Sequence, residues 1–325
     1  MAEVARRRPG GIWFAIVSLV LLAAVITVVV IATRGAPVSD NPFSNRALYV
    51  YPESSAAKAA AVANGTQESA PFAELARTPT AIWLLPEAHP TAEITEFVAR
   101  IEADAAAKSQ LPVFVVYGIP SRDCGNFSAG GSSSQEYPLW ITAIATGIAS
   151  SDAIIILEPD ALALSPSCGT QDATAAFLRD AITRLSSNPA TTIYLDGGHS
   201  DWLEPEEMAQ LLGAAGVDQV RGFATNVSNY NSTQDERDYG QTLSDLLGGA
   251  HFVVDTSRNG SGSTGEWCNP PGRTVGDTPS GVDDDTAQDA SLWIKNPGES
   301  DGECNGGPPA GQWWPDQALA LVSGD

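Results

Sequence analysis

Eight short apolar, β-rich runs punctuate the chain: ALYVY (47–51), AIWLL (81–85), PVFVVYGI (112–119), AIIIL (153–157), TTIYL (191–195), GFATNV (222–227), HFVVD (251–255) and LWIK (292–295). They recur at roughly 30–40 residue intervals. Between them lie Ala-rich stretches with helical spacing, such as TAEITEFVARIEADAAAK (91–108) and QDATAAFLRDAITRL (171–185). Strands buried on both faces read as continuous apolar runs, and helices between them make parallel crossovers. Seven or eight such units predict an α/β fold closed into a distorted parallel barrel. An open doubly wound sheet is the competitor. No G-x-G-x-x-G follows the first strands, which weakens a nucleotide-binding version.

The amino-terminal pattern is different. Arg6, Arg7 and Arg8 precede Ile12–Ala32, in which Ser18 and Thr27 are the only polar residues. As a helix this run would reach about 31 Å, the hydrocarbon thickness of a bilayer. It is long for a signal peptide, and Ala32-Thr33-Arg34 is a poor cleavage site. Residues 1–34 are therefore expected to be a basic tip and a signal anchor. The arginines before the run place the N-terminus in the cytoplasm and the remainder outside. Residues 35–42 read as a short exposed linker, and 43–325 as one catalytic-sized domain with no second boundary.

Strand ends carry the candidate chemistry. After IIIL come Glu158-Pro159-Asp160, after IYL comes Asp196, and after FVVD come Thr256-Ser257-Arg258. VVYGIP leads to Ser121-Arg122-Asp123-Cys124, and LWIK leads to Asn296 through Asp301. In a parallel barrel these ends meet at one face, where active sites sit. One carboxylate among 39 acidic residues means little, but several converging at strand ends mean more.

Composition narrows the chemistry. A net charge of −22 argues against nucleic acid, whose phosphates need a basic patch. Three histidines are few for a histidine-rich catalytic metal site, and no G-x-S-x-G elbow occurs. Carboxylates with tryptophans, and no implied metal or cofactor, point to sugar chemistry. A glycosidase needs one carboxyl kept protonated and another kept ionised. Neighbouring carboxylates achieve the first, since two like charges do not both ionise cheaply. The four cysteines, Cys124, Cys168, Cys268 and Cys304, form no C-x-x-C pair. In an exported chain they predict two disulfides; three connectivities are allowed, and pairing of sequence neighbours is expected. Each bridge would contribute about 3–4 kcal/mol in the chain-entropy model.

The ordered segments VVYGIPSRDCGNFSAGG, ILEPDALA, YLDGGHSDWL, GFATNVSNY, FVVDTSRNGSG, EWCNPPGR and LWIKNPGESDGECNGG closely resemble glycoside hydrolase family 6, the inverting β-1,4-glucanases. The resemblance runs from about Asn41 to the C-terminus. It implies a distorted barrel usually described with seven strands, so one run is peripheral, and it implies the same neighbour disulfides. Asp160 then corresponds to the general acid. Asp123 corresponds to its partner, Asp301 to the proposed base, and Asp196 to a structural residue beneath the site. Tyr117 would lie under the reacting ring. Trp83, His199, Trp202, Asn229, Trp267, Lys295 and Glu299 would line the sugar subsites. The family's water-holding serine has four candidates here, Ser128 and Ser132 to Ser134.

Without the resemblance, several of these residues have plainer readings. Trp83 sits within an apolar strand and would be core. Trp267 would pack on the disulfide at Cys268. Lys295 and Glu299 would form a solvated ion pair worth under about 1 kcal/mol. Arg122 would only anchor its loop. The expectation is an extracytoplasmic, monomeric endo-β-1,4-glucanase acting on a glucan chain in an open cleft. A cellobiohydrolase, or a cell-surface glucan-binding protein without turnover, is the alternative.

Overall fold

The computed structural model describes Met1 and residues 41–324. Among these, no helix is long and apolar enough to cross a membrane. The run Ile12–Ala32, and with it the expected anchor, lies outside the described residues. Among the described residues, the strands and helices all belong to the unit that begins at Asn41.

Seven strands lie side by side in parallel: β2 (Ile82–Leu84), β4 (Val113–Val116), β5 (Ala153–Leu157), β6 (Thr191–Asp196), β7 (Gly222–Thr225), β8 (His251–Asp255) and β10 (Gln288–Leu292). A short antiparallel strand, β9 (Ser280–Gly281), occupies the outer edge of β10 at Ala290 and Ser291. Two residues of the first predicted run form β1 (Ala47–Leu48). It pairs with β3 (Gln110–Leu111) in a separate two-stranded sheet, so this run is the peripheral one. The last predicted run is displaced as well: its strand ends at Leu292, and Trp293 to Lys295 leave the sheet.

The sheet curls but does not close into the expected ladder. The outermost parallel strands, β2 and β10, are not hydrogen-bonded neighbours in the sheet order. Strand β9 already covers the free edge of β10 at Ala290 and Ser291. Only the stretch after Leu292 is left for β2, and there the amide of Ala81 donates to the carbonyl of Trp293 at 2.9 Å. The Trp83 indole N–H adds a second tie, to the carbonyl of Ile294 at 2.8 Å.

Strand residues divide by parity. Val113, Val115, Ile154, Ile156, Tyr194, Ala224, Val253 and Ala290 fill the interior of the curl. Their neighbours Phe114, Val116, Ile155, Leu157, Leu195, Phe223 and Phe252 face outward onto helices. That double burial is why the strands read as unbroken apolar runs. The helices are α1 (Ser55–Val62), α2 (Ser69–Arg77), α3 (Thr91–Ala107), α4 (Tyr137–Ile148), α5 (Ala161–Cys168), α6 (Gln171–Leu185), α7 (Pro205–Ala215), α8 (Thr233–Leu246) and α9 (Pro315–Ser323). Local signals set their ends. Ser54 and Ser232 cap α1 and α8 by accepting from Ala57 and Asp235 amides. Helix α7 begins with Pro205, Glu206 and Glu207 and stops at Gly216, whose φ is 91°. Helix α4 lies close against the end of β4 because residue 118 is glycine: a Cβ there would fall 2.6 Å from the Trp140 ring. The bridges are Cys124–Cys168 and Cys268–Cys304, as expected.

Candidate active site

The parallel strands deliver their carboxyl-terminal loops to one face, and a cleft of about 450 Å³ opens there. The backbone turns abruptly as it leaves the strands. Ser121, Asp123, Cys124, Glu158, Asp160, Asn226 and Ser228 all have φ between 48° and 67°, in the left-handed region that non-glycine residues avoid. Each costs on the order of 1–3 kcal/mol and persists only where the surroundings hold it.

At the end of β5 the holding group is Glu158. Its carboxylate accepts the amide hydrogens of Gly118 (2.9 and 3.0 Å) and Ile119 (3.0 Å) and the Tyr137 hydroxyl (2.9 Å). This explains the first carboxylate of the Glu-Pro-Asp sequence: it is 1% exposed and ties β5 to the loop after β4. Burial raises its pKa to about 7, against the pull of those amides. Loop 121–131 is held by Arg122. Its guanidinium donates to the carbonyls of Tyr117 (2.7 Å) and Ser128 (2.9 Å), pairs with Glu87 at 3.2 Å, and lies over the Tyr117 ring. Arg122 is thus the loop anchor that its plainer reading suggested.

Three carboxyls converge on the cleft in different states. Asp160 faces it from the strained turn after β5, its amide donating to Asp196 at 2.9 Å. Burial, and then the charge of Asp123, raise the Asp160 pKa to about 7, with Lys295 opposing. Asp123 lines the cleft from the neighbouring loop, where it accepts the Ser128 amide at 2.8 Å. Ser128 also lines the cleft, alone among the four serines the sequence left open.

Asp301 is the third. Burial alone would push its pKa up, but the buried Arg258 and Lys295 hold it below the ordinary carboxylate range. One Arg258 nitrogen touches both oxygens, at 2.9 and 3.0 Å. The Tyr230 hydroxyl donates at 2.9 Å and the Asn269 amide at 3.1 Å. Lys295 is 3.6 Å away. Lys295 therefore pairs with Asp301 and not with Glu299, correcting that reading. The reason is geometric: the chain has left β10 by Trp293, and Lys295 turns into the cleft above the Trp83 face, 5.8 Å from its centroid.

The other expected residues largely gather here. Trp83 is half-buried, edge-on to Tyr117 at 5.2 Å, and both line the cleft. His199, Trp202 and Asn229 line one wall. Trp267 lines the rim, 52% exposed and against Phe127 at 5.8 Å, which is more exposure than packing on its disulfide requires. Glu299 does not reach the cleft lining; its carboxylate is held by Ser55 (2.6 Å) and Asn296 (3.2 Å). Asp196 is buried beneath the floor, where it accepts the amides of Asp160 and Gly198.

Arg258 stands among the strand-end residues of the sequence, but neither it nor Tyr230 or Asn269 receives a role there. Arg258 had a signal: a lone cation just after a buried strand, in a chain this acidic, needs a buried anion. Among the described residues, no cluster of His, Cys, Asp and Glu is arranged to hold a metal ion.

A carboxyl poised to hold its proton and a carboxylate kept ionised, across a cleft walled by indole rings, define a glycoside hydrolase of the two-carboxylate type. The chain belongs to the glycosyl hydrolases family 6, whose model matches residues 43–324. It is 44% identical over 284 residues to endoglucanase A of Cellulomonas fimi, covering 86% of this chain and 62% of that enzyme, less than two thirds of its length. It is 37% identical to endoglucanase 1 of Streptomyces halstedii, over 93% of this chain and 98% of that one. Among solved structures, the endoglucanase Cel6 from Mycobacterium tuberculosis, in complex with a methyl-cellobiosyl thio-cellobioside, superposes with a TM-score of 0.84. The two are 42% identical, over 87% of this chain and 99% of that one.

Proposed function

We propose that this chain is an endo-β-1,4-glucanase that cleaves with inversion. The observation that carries the reading is the opposed state of two carboxyls on one cleft: Asp160 keeps its proton to about pH 7, while Asp301 is held ionised. Asp160 protonates the leaving glycosidic oxygen. Asp123 keeps that proton on Asp160 by like-charge repulsion and stabilises positive character at the reacting sugar. Water attacks the anomeric carbon from the opposite face.

Asp301 is the acceptor for the water's proton. The donors around it make it a weak base, and a weak base suffices. Water adding to an oxocarbenium-like carbon becomes strongly acidic, so the proton leaves readily toward any ionised carboxylate. In exchange Arg258 and Lys295 keep Asp301 ionised over a pH range in which Asp160 still holds its proton. Trp83, Tyr117, Trp202 and Trp267 supply flat apolar faces for pyranose rings, and His199, Asn229 and Lys295 supply polar contacts. Glu299 has no direct part in this reading.

Two disulfides suit an oxidising compartment, and the apolar N-terminal run suits tethering or export there. The test is product analysis on carboxymethylcellulose and cello-oligosaccharides, with Asp160→Asn as control. Internal cleavage with an initial α-anomeric product is expected. An initial β-anomer would overturn the mechanism. Binding without new reducing ends would instead favour a glucan-binding protein.

A further inference from the structure

His199 lines the cleft, and one of its ring nitrogens is already engaged by neighbouring protein groups. That nitrogen, Nδ1, lies 3.1 Å from Nδ2 of Asn231 and 3.3 Å from the backbone nitrogen of Asp201. An amide N–H only donates, so two donors converge on Nδ1 and leave it the role of acceptor. In a neutral imidazole the proton is then on Nε2. Burial disfavours the charged form and lowers the His199 pKa to about 4, so the ring is neutral near pH 7.

The Asn231 amide has its own constraint. Its NH2 also lies 3.1 Å from Oε1 of Glu236 and 3.0 Å from the Ser200 hydroxyl. Glu236 is fully buried on α8 and also accepts the Ser200 amide at 2.9 Å. A carboxylate accepts and never donates, so it selects the rotation of Asn231 that turns NH2 toward it and toward the imidazole. The Asn231 backbone is fixed separately: its amide donates to Asn226, and its carbonyl accepts from Asn226 and Asn259. Glu236 thus acts at one remove from the cleft, on the orientation of a side chain that in turn sets the histidine.

We propose that Glu236 and Asn231 are positioning residues that lock His199 as its Nε2–H tautomer, so that the wall of the cleft offers a glucan hydroxyl a hydrogen-bond donor and not an acceptor. The identity of the ligand rests on the glucanase reading; the tautomer does not. Neither Glu236 nor Asn231 is a catalytic residue.

The chain has three histidines, which makes the test direct. Nitrogen-15 spectra of the full-length protein, labelled at histidine and assigned with His199→Ala, report which ring nitrogen carries the proton. The unmodified protein is expected to show a single Nε2–H form for His199. In Glu236→Gln, where the new amide lets Asn231 turn over, and in Asn231→Leu, the Nδ1–H form is expected to appear. The KM for cellotetraose should then rise about tenfold, the value of one hydrogen bond, with kcat within about twofold. An Nδ1–H form in the unmodified protein, or an unchanged tautomer in both folded variants, would overturn the proposal. So would a tautomer that shifts while KM stays put. Failure of the glucanase reading itself shows separately, as no reducing ends from the unmodified protein.

Discussion

Arg258 and Asp301 form a buried ion pair, open to the cleft only at Asp301, in which a single guanidinium nitrogen, Nη1, contacts both carboxylate oxygens at 2.9 and 3.0 Å. The Arg258 guanidinium also donates to the carbonyl of Ser228 and stacks 4.3 Å over the Tyr230 ring. The pair joins the loop after β8 to the loop after β10. It therefore couples the shape of the cleft to the charge of its expected base.

Removing one member of a buried pair leaves an uncompensated charge, which costs about 3–5 kcal/mol. Arg258→Met is expected to lose that much stability in urea denaturation and to raise the Asp301 pKa, because burial is then opposed by Lys295 alone among the nearby cations. Turnover should fall with it. Replacing both partners, Arg258→Met with Asp301→Leu, should restore much of the stability but none of the activity. A single variant as stable as the parent would show that the pair is not the structural link described here.

In the proposed mechanism the pH profile follows from Asp160. A general acid works only while protonated, and Asp160 carries its proton up to about pH 7. Activity should therefore fall on the alkaline side as pH rises through about 7. Asp123→Asn removes the like charge that, after burial, does most to raise that value, so the alkaline limb should move to lower pH in this variant. Asp160→Asn should lower turnover by roughly 10²–10⁴, the usual contribution of general acid catalysis, and abolish the limb. An alkaline limb that persists unchanged in Asp160→Asn assigns the proton to another group.

Most of this fold is legible from period alone, and its departures have local causes. The strands from β4 to β8 read clearly because both faces are buried. The last strand does not: Gln288 and Asp289 are polar yet buried, Asp289 taking up the Tyr194 hydroxyl at 2.6 Å and Arg221 at 2.8 Å. Polarity satisfied by partners far away in sequence hides a strand from any local pattern. Asp160 and Asp123 were legible because a polar residue at the exit of an apolar run has few places to go. Tyr230, Asn269 and Arg258 act on Asp301 from other loops, a relationship that exists only once the sheet has curled.

The Cys268–Cys304 bridge closes a separation of 36 residues that contains both Asn269 and Asp301. In the chain-entropy model a loop of that size contributes about 4 kcal/mol. Cys268→Ser with Cys304→Ser is expected to lower stability by about that amount. Trp267 adjoins the bridge on the rim, so the KM for long oligosaccharides should rise more than that for short ones. Equal effects on both substrates would mean that the bridge does not position Trp267.

Glu102 on α3 offers a stability test separate from the cleft. It is 4% exposed, and its Oε1 has no hydrogen-bond partner. Burial, and then the charge of Asp152, raise its pKa from 4.5 to about 8. Because the folded value lies above the unfolded one, the folded state binds the proton more tightly. Below about 4.5 the group is protonated in both states and imposes no ionisation cost. As pH rises from there to about 8, the unfolded chain releases the proton freely, the folded chain does not, and stability falls. Glu102→Leu removes both the titration and the unpaired oxygen. It is expected to be more stable than the parent by about 1–3 kcal/mol at pH 8, with a smaller gap at pH 5. The measurement is the urea midpoint of both proteins across that range. Because other buried carboxyls titrate there too, the difference between the two proteins is the quantity to follow, and a difference that stays constant with pH would show that Glu102 binds its proton equally in the folded and unfolded states, so that burial does not raise its pKa.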